Sequence, residues 1–128
     1  MNIWLLPNLY SVYKLAADAV SPKVKQTADF LSITRTCNEL SIVCATSLVP
    51  NDCIAREDGF RVLQVQGPLD FALTGILSSI LAPLAAARIS VFTISTFNTD
   101  YILVRDAELR RAIEVLEASE TARVNRLG

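Results

Sequence analysis

Histidine is absent from the sequence. That removes the commonest general base, the usual Ser and Cys triads and most catalytic zinc sites. Cysteine is scarce and odd in number: Cys37, Cys44 and Cys53 form no CxxC pair. Neither a disulfide framework nor a thiolate zinc site is expected, and a reducing, cytoplasmic compartment fits. The four glycines build no P-loop and no GxGxxG, so no phosphate-cradling loop, metal or cofactor is expected. A surplus of either charge is also missing. With 12 basic and 13 acidic residues, net charge −1 and pI near 5.3, the chain lacks the basic excess that phosphate neutralisation requires, which argues against a nucleic-acid partner. No apolar run is long enough for a membrane span: residues 71–87 carry no charge but include Thr74, Gly75, Ser78, Ser79 and Pro83, and a span needs about 20 predominantly apolar residues. The first residues have no basic n-region and are interrupted by Pro7, so a secreted protein is not expected.

What is present is apolar mass. In 128 residues of which 52% are hydrophobic there is enough for one ordinary domain, or two small ones sharing a core. The chain is organised around residues 67–104. Ile76, Leu77, Ile80, Leu81 and Leu84 recur at helical spacing and predict a helix with one apolar stripe. Ile89–Ser95 and Tyr101–Val104 are β-branched and aromatic runs joined by Thr96-Phe97-Asn98-Thr99-Asp100, residue types suited to a hairpin turn. Pro83 inside the helix predicts a kink or an early end, and Asp70 or Thr74 would cap its start.

Elsewhere, Asn2–Leu6 and Leu9–Ala16 read as strands around a turn at Pro7-Asn8, and a single helical turn is allowed near Lys23–Gln26. Phe30–Thr34 and Leu40–Thr46 read as a second hairpin, closed by Arg35-Thr36-Cys37-Asn38-Glu39. Pro50–Gly59 reads as a polar connector, Phe60–Gln66 as a strand, and Asp106 onwards as a final helix with Leu109, Ala112, Ile113 and Leu116 on one face and Arg110 and Glu114 paired on the other. With one gap, the two hairpin segments align, a weak internal repeat. The expectation is an α+β chain with antiparallel sheets covered by helices on one face. Its divisions are 1–58, 59–118 and a flexible tail at 119–128, with the N-terminal strand offered to the second unit's sheet.

At Thr34-Arg35-Thr36 with Glu39–Cys44, Gly67–Phe71 with Thr74-Gly75-Ile76, Pro83-Leu84-Ala85 with Ile89-Ser90-Val91, and Ser95–Asp100, the sequence resembles the ACT-domain proteins, specifically small tandem-ACT proteins related to the CASTOR arginine sensors. The resemblance implies two ferredoxin-like ACT units, with an effector, usually an amino acid, held between ACT domains. It implies ligand contacts from Phe71, Thr74, Gly75 and Ile76 at the loop and helix start, and from Thr96, Phe97, Asn98 and Asp100 at the hairpin. Where the sensors have an acidic residue before Thr74, this chain has Leu73.

Physical chemistry supports the same assignment from its own side. Orphan N–H groups and the positive end of the helix dipole at Thr74-Gly75-Ile76 suit a carboxylate. Asp100 suits an ammonium, through a charge-assisted hydrogen bond. Each residue also has a plain reading: Thr74 a cap, Gly75 a crossing point, Asn98 and Asp100 satisfying their own turn. Glu39, Asp70 and Asp100 are carboxylates with no spacing that marks an acid–base pair. The expected function is a non-enzymatic regulatory protein binding a small amino acid or related metabolite. A homodimer and a regulated protein partner are expected with it. The alternative is an interaction or dimerisation module whose pocket is filled by its own side chains, with Leu73 and Phe97 bulky enough to do so.

Overall fold

A computed structural model describes residues 1–23, 28–67, 75–120 and 122–126. The helical turn expected near Lys23–Gln26 falls on residues outside that set, apart from Lys23 itself. Two units are distinct: Met1–Pro7 with Phe60–Gly128, and Asn8–Gly59.

In the first of these, the strands are β1 (Asn2–Leu5), the later part of β5 (Ala55–Val65), β6 (Val91–Ser95), β7 (Asp100–Arg105) and β8 (Arg123–Arg126). The helices are α1 (Ile76–Ala86) and α2 (Leu109–Ala118). From β5 to β8 the order is β-α-β-β-α-β, the ferredoxin-like arrangement. β6 pairs with β7 and β7 with β5, all antiparallel. The N-terminal strand then pairs antiparallel with β5, Ile3 opposite Val65, and parallel with β8, Ile3 opposite Val124. It therefore lies between the first and last strands of the β-α-β-β-α-β unit. Residues 123–126, expected within a flexible tail, are instead a strand: Arg123 N–H bonds the Met1 carbonyl at 2.9 Å, and Ala122 is buried.

α1 buries Ile80 and Leu84 against the sheet residues Leu63, Val65, Ile102 and Val104. Pro83 cannot donate within the helix, yet α1 continues to Ala86 and ends in a Schellman turn. There Arg88 has φ 59°, Arg88 N–H bonds the Ala85 carbonyl, and Ile89 N–H bonds that of Leu84. Asp70 and Thr74, expected to cap α1, lie outside the described residues; its N-cap position is Gly75, φ 80°, a left-handed φ that glycine adopts without steric cost. A 3-10 turn, Asp106–Glu108, precedes α2, so the last helix begins at Leu109 rather than Asp106. Its ion pair joins Arg111 to Glu108 at 2.7 Å, where Arg110 and Glu114 were expected. Leu109, Ala112 and Leu116 are its buried face.

The Asn8–Gly59 unit contains β2 (Tyr10–Leu15), β3 (Ser32–Arg35) and β4 (Leu40–Ala45), antiparallel in the order β3-β4-β2. A 3-10 turn, Thr46–Leu48, follows β4. The polar segment expected as a connector up to Gly59 already belongs to β5 from Ala55, and Ile54 N–H bonds the Lys14 carbonyl at 2.9 Å. Tyr13, Leu40, Ile42 and Cys44 form the core of this unit, with Leu15, Ala19, Leu31, Val49 and Cys53 packed on it. Among its described residues there is no α-helix; the helical cover described, α1 and α2, lies on the sheet of the other unit. No helix among the described residues is long and apolar enough to cross a membrane.

Candidate functional site

The turn between β6 and β7 is fixed from within and from below. Thr96 N–H bonds the Thr99 carbonyl at 2.8 Å, and Thr99 N–H returns to Thr96 Oγ1 at 3.3 Å. Beneath it, the Thr99 hydroxyl, 5% exposed, donates to the Val65 carbonyl at 2.5 Å. Gly67 lies so close that a Cβ there would stand 2.8 Å from the Asn98 carbonyl oxygen. Only a residue without a side chain fits under this turn without displacing it. The end of β5 and the hairpin tip are thus one rigid corner.

That corner presents several of the expected residues together. Asp100 is half-buried, and its Oδ1 accepts a hydrogen bond from Ser95 Oγ, its cross-strand partner, at 2.5 Å. Asn98 is exposed, and Phe97 at the tip is 79% exposed. Gly75 and Ile76 open α1, but the described hydrogen bonds do not link them to the hairpin. An added Cβ at Gly75 would meet nothing within 4 Å, so its glycine is needed for the left-handed φ rather than for close approach. Phe71 and Thr74 lie outside the described residues. Among those described, no group of three metal-ligating side chains occurs, and all three cysteines are free thiols.

A polar array that sequence reasoning missed lies in the Asn8–Gly59 unit. Ser11, fully buried in β2, has its hydroxyl 2.8 Å from Thr46 Oγ1 and 2.5 Å from Asp58 Oδ1. Asp58 also accepts from Arg56 Nε and Nη2 at 3.1 and 2.9 Å. The Ser11 hydroxyl, and after it Arg56, hold the Asp58 carboxyl below its usual value of 3.8. Burial pushes the Cys44 thiol up, with Arg56 opposing weakly, and pushes the Tyr10 hydroxyl up to about 12. Ser11 is a buried tie between β2, the Thr46 turn and the start of β5. Its one sequence signal is a serine set between Tyr10 and Val12 at the start of β2.

Comparison with known proteins places the chain. A family model described as ACT domain matches residues 55–118, and a second model, of an N-terminal domain, matches residues 8–52. The human cytosolic arginine sensor for mTORC1 subunit 1 is 46% identical over 59 residues, 45% of this chain and 18% of the sensor. The match therefore spans under a fifth of the length of that relative. A crystal structure of a protein from Agrobacterium tumefaciens has a TM-score of 0.89 at 32% identity, covering 99% of this chain and 93% of that one. Aspartate kinase from Clostridium acetobutylicum shares the fold, with a TM-score of 0.64 at 9% identity over 88% of this chain and 33% of that one.

Proposed function

The chain belongs to the ACT-domain family, and on that premise we propose that it is a non-enzymatic, cytoplasmic regulatory protein that binds a small amino acid or related metabolite. The ligand lies between ACT units, with the second wall supplied by another copy of the chain. Thr96, Phe97, Asn98 and Asp100 face it from the hairpin, and Phe71, Thr74, Gly75 and Ile76 from the loop and the start of α1. The observation that carries this reading is Asp100: a half-buried carboxylate on a rigid corner, one oxygen held by Ser95 and the other without a hydrogen bond among the described residues. A carboxylate so fixed suits an α-ammonium, since charge-assisted bonds are about twice as strong as neutral ones. The arginine sensor is a relative whose name states such a ligand.

Linkage supplies the mechanism. A ligand bridging two copies stabilises the assembled state by its preference for that state, and the assembled state binds the ligand more tightly in the same proportion. Such an assembly is what a regulated protein partner would read. The test is a thermal-shift screen of the protein against the proteinogenic amino acids at millimolar concentration, repeated on Asp100→Ala. A ligand at one hundred times its Kd adds about 2.7 kcal/mol, a rise of several degrees for a chain of this length. The expected result is a rise with one amino acid that is lost in the variant. No rise with any of them overturns the reading.

A second reading has one observation in its favour. β6 pairs with β7 alone among the described strands, carries no charged residue, and leaves Phe92 38% exposed, with Phe97 exposed in the turn that follows. An uncharged edge of this kind invites another strand. In that reading the chain is a dimerisation module without a ligand. A stable dimer in gel filtration that ignores every amino acid in the thermal screen would establish it.

A further inference from the structure

Strand register alone aligns the two hairpins, position by position. Leu40 stands opposite Arg35 on one side and Leu15 on the other. In the second hairpin Asp100 stands opposite Ser95, and the β5 register, with Gln64 opposite Tyr101, brings Val65 to Asp100 one residue further on. Leu15 and Val65 each end their strand. Arg35 therefore holds the position of Ser95, Leu40 that of Asp100, and Ala17 that of Gly67. The segment after Ala17 corresponds to the one after Gly67.

The matched positions hold different chemistry. Ser95 gives its hydroxyl to the Asp100 carboxylate. Leu40 is fully buried and offers no carboxylate, and Arg35 turns to the chain itself. Its Nη1 donates to the Ala17 carbonyl, and its Nη2 to the Ala19 carbonyl at 2.8 Å and to Ser21 Oγ at 3.4 Å. Ala19 N–H bonds the Ala16 carbonyl at 3.0 Å and so closes the turn that carries these acceptors. Among the described residues Arg35 is in no ion pair. Its partners are neutral oxygens set for a planar fork of donors, which a guanidinium has and an ammonium lacks.

We propose that residues 17–21 form a guanidinium site that the chain's own Arg35 occupies from within. The position that the hairpin reading gives to a ligand in one unit is thus filled in the other by a side chain. On that reading, each chain offers one open half-site rather than two.

The test is chemical rescue of Arg35→Ala in the full chain, followed by amide-resolved NMR. N-ethylguanidinium supplies the two methylenes and the fork that this substitution removes. The amides of Asp18, Ala19 and Val20 are expected to move in the variant and to return towards their parent positions with N-ethylguanidinium at millimolar concentration. In the parent, where the site is full, the same compound leaves them unmoved. Ethylammonium, with the same charge and no fork, is expected to return them little. Amides that stay in place on substitution overturn the proposal, as does a variant that N-ethylguanidinium does not restore or that ethylammonium restores equally. Arg35→Lys keeps the charge and guards against a variant that fails to fold: the same amides must move in it, and parent positions there overturn the proposal. Because the rescue uses no amino acid, the hairpin reading fails separately. A chain rescued at residues 18–20 that ignores every amino acid in the thermal screen overturns that reading and supports the guanidinium site.

Discussion

Each unit closes its hairpin with the same threonine arrangement. Thr36 N–H bonds the Glu39 carbonyl at 2.9 Å, and Thr96 N–H bonds that of Thr99 at 2.8 Å. In each, the hydroxyl of that threonine accepts from the N–H of the turn's last residue, and a strand of 6 residues then leads into a 3-10 turn. Beyond that the units part. Thr99 sends its hydroxyl down to Val65, and Gly67 packs under Asn98; Glu39, in the place of Thr99, makes no such side-chain bond. One core is covered by α1 and α2, while the other is closed by Ala19, Leu31, Val49 and Cys53 from non-helical segments. The turn chemistry is local and repeats wherever Thr-x-Asn-x occurs. What holds the turn in place is decided by its surroundings, and among the described residues only the β6–β7 turn is tied by its own threonine hydroxyl to a neighbouring strand.

The sharpest way to break this comparison is to open a cavity at matched positions. Ile102 and Ile42 are both fully buried. Ile102→Ala, under two helices, is expected to cost about 3–5 kcal/mol, and Ile42→Ala about 2–3 kcal/mol, because a cavity closed by loops collapses more readily. Urea unfolding of both variants measures the difference; equal costs would show that the helical cover makes no energetic distinction. Next in size is Gly67→Ala, expected to cost about 1–3 kcal/mol because the new methyl meets the Asn98 carbonyl. An unchanged Tm would mean that the hairpin is not braced from below.

Replacing the matched residues Thr99 and Glu39 by valine isolates the hydroxyl tie. Thr99→Val leaves the buried Val65 carbonyl without its donor, a loss of about 1–2 kcal/mol. Glu39→Val is expected within about 0.5 kcal/mol of the parent. The smallest effect is one of pH and belongs to the Asn8–Gly59 unit. With its pKa depressed in the folded chain, Asp58 takes up a proton in the unfolded state first as pH falls. Its contribution is therefore complete above the ordinary carboxylate value and is lost as pH drops through the folded value. Urea midpoints measured from about pH 5 downwards should fall less steeply in Asp58→Asn than in the parent. Parallel curves would show that the Ser11 array carries no charge linkage.

The parts legible in the sequence were those with local signatures. The stripe of Ile76, Leu77, Ile80 and Leu84 marked α1, and alternation with Thr and Asn at the turns marked both hairpins. The two turns align without the gap that residue matching alone called for: Thr36 corresponds to Thr96, and Leu40 opens β4 as Asp100 opens β7. β8 was illegible because Arg123-Val124-Asn125-Arg126 has one apolar residue, and its pairing is with β1, at the other end of the chain. The start of β5 looked like a linker because Ala55 to Asp58 are all exposed. For the candidate site, the hairpin residues and Gly75 were legible as residue types. The bracing of Thr99 and Gly67, the burial of Ser11 and the seat of Arg35 on residues 17–21 exist only through register between distant strands.

The position of β1 bears on how the chain acquires its structure. Asn125 donates to the Ile3 carbonyl across a separation of 122 residues, and every β1–β8 pair is of similar span. Contacts of that range bear a large loop-closure entropy and slow the search for the native state. During synthesis β1 can pair with β5 once that strand has emerged, but its other edge stays open until β8 follows. Until then that open edge is a surface on which a half-made chain would aggregate or engage a chaperone.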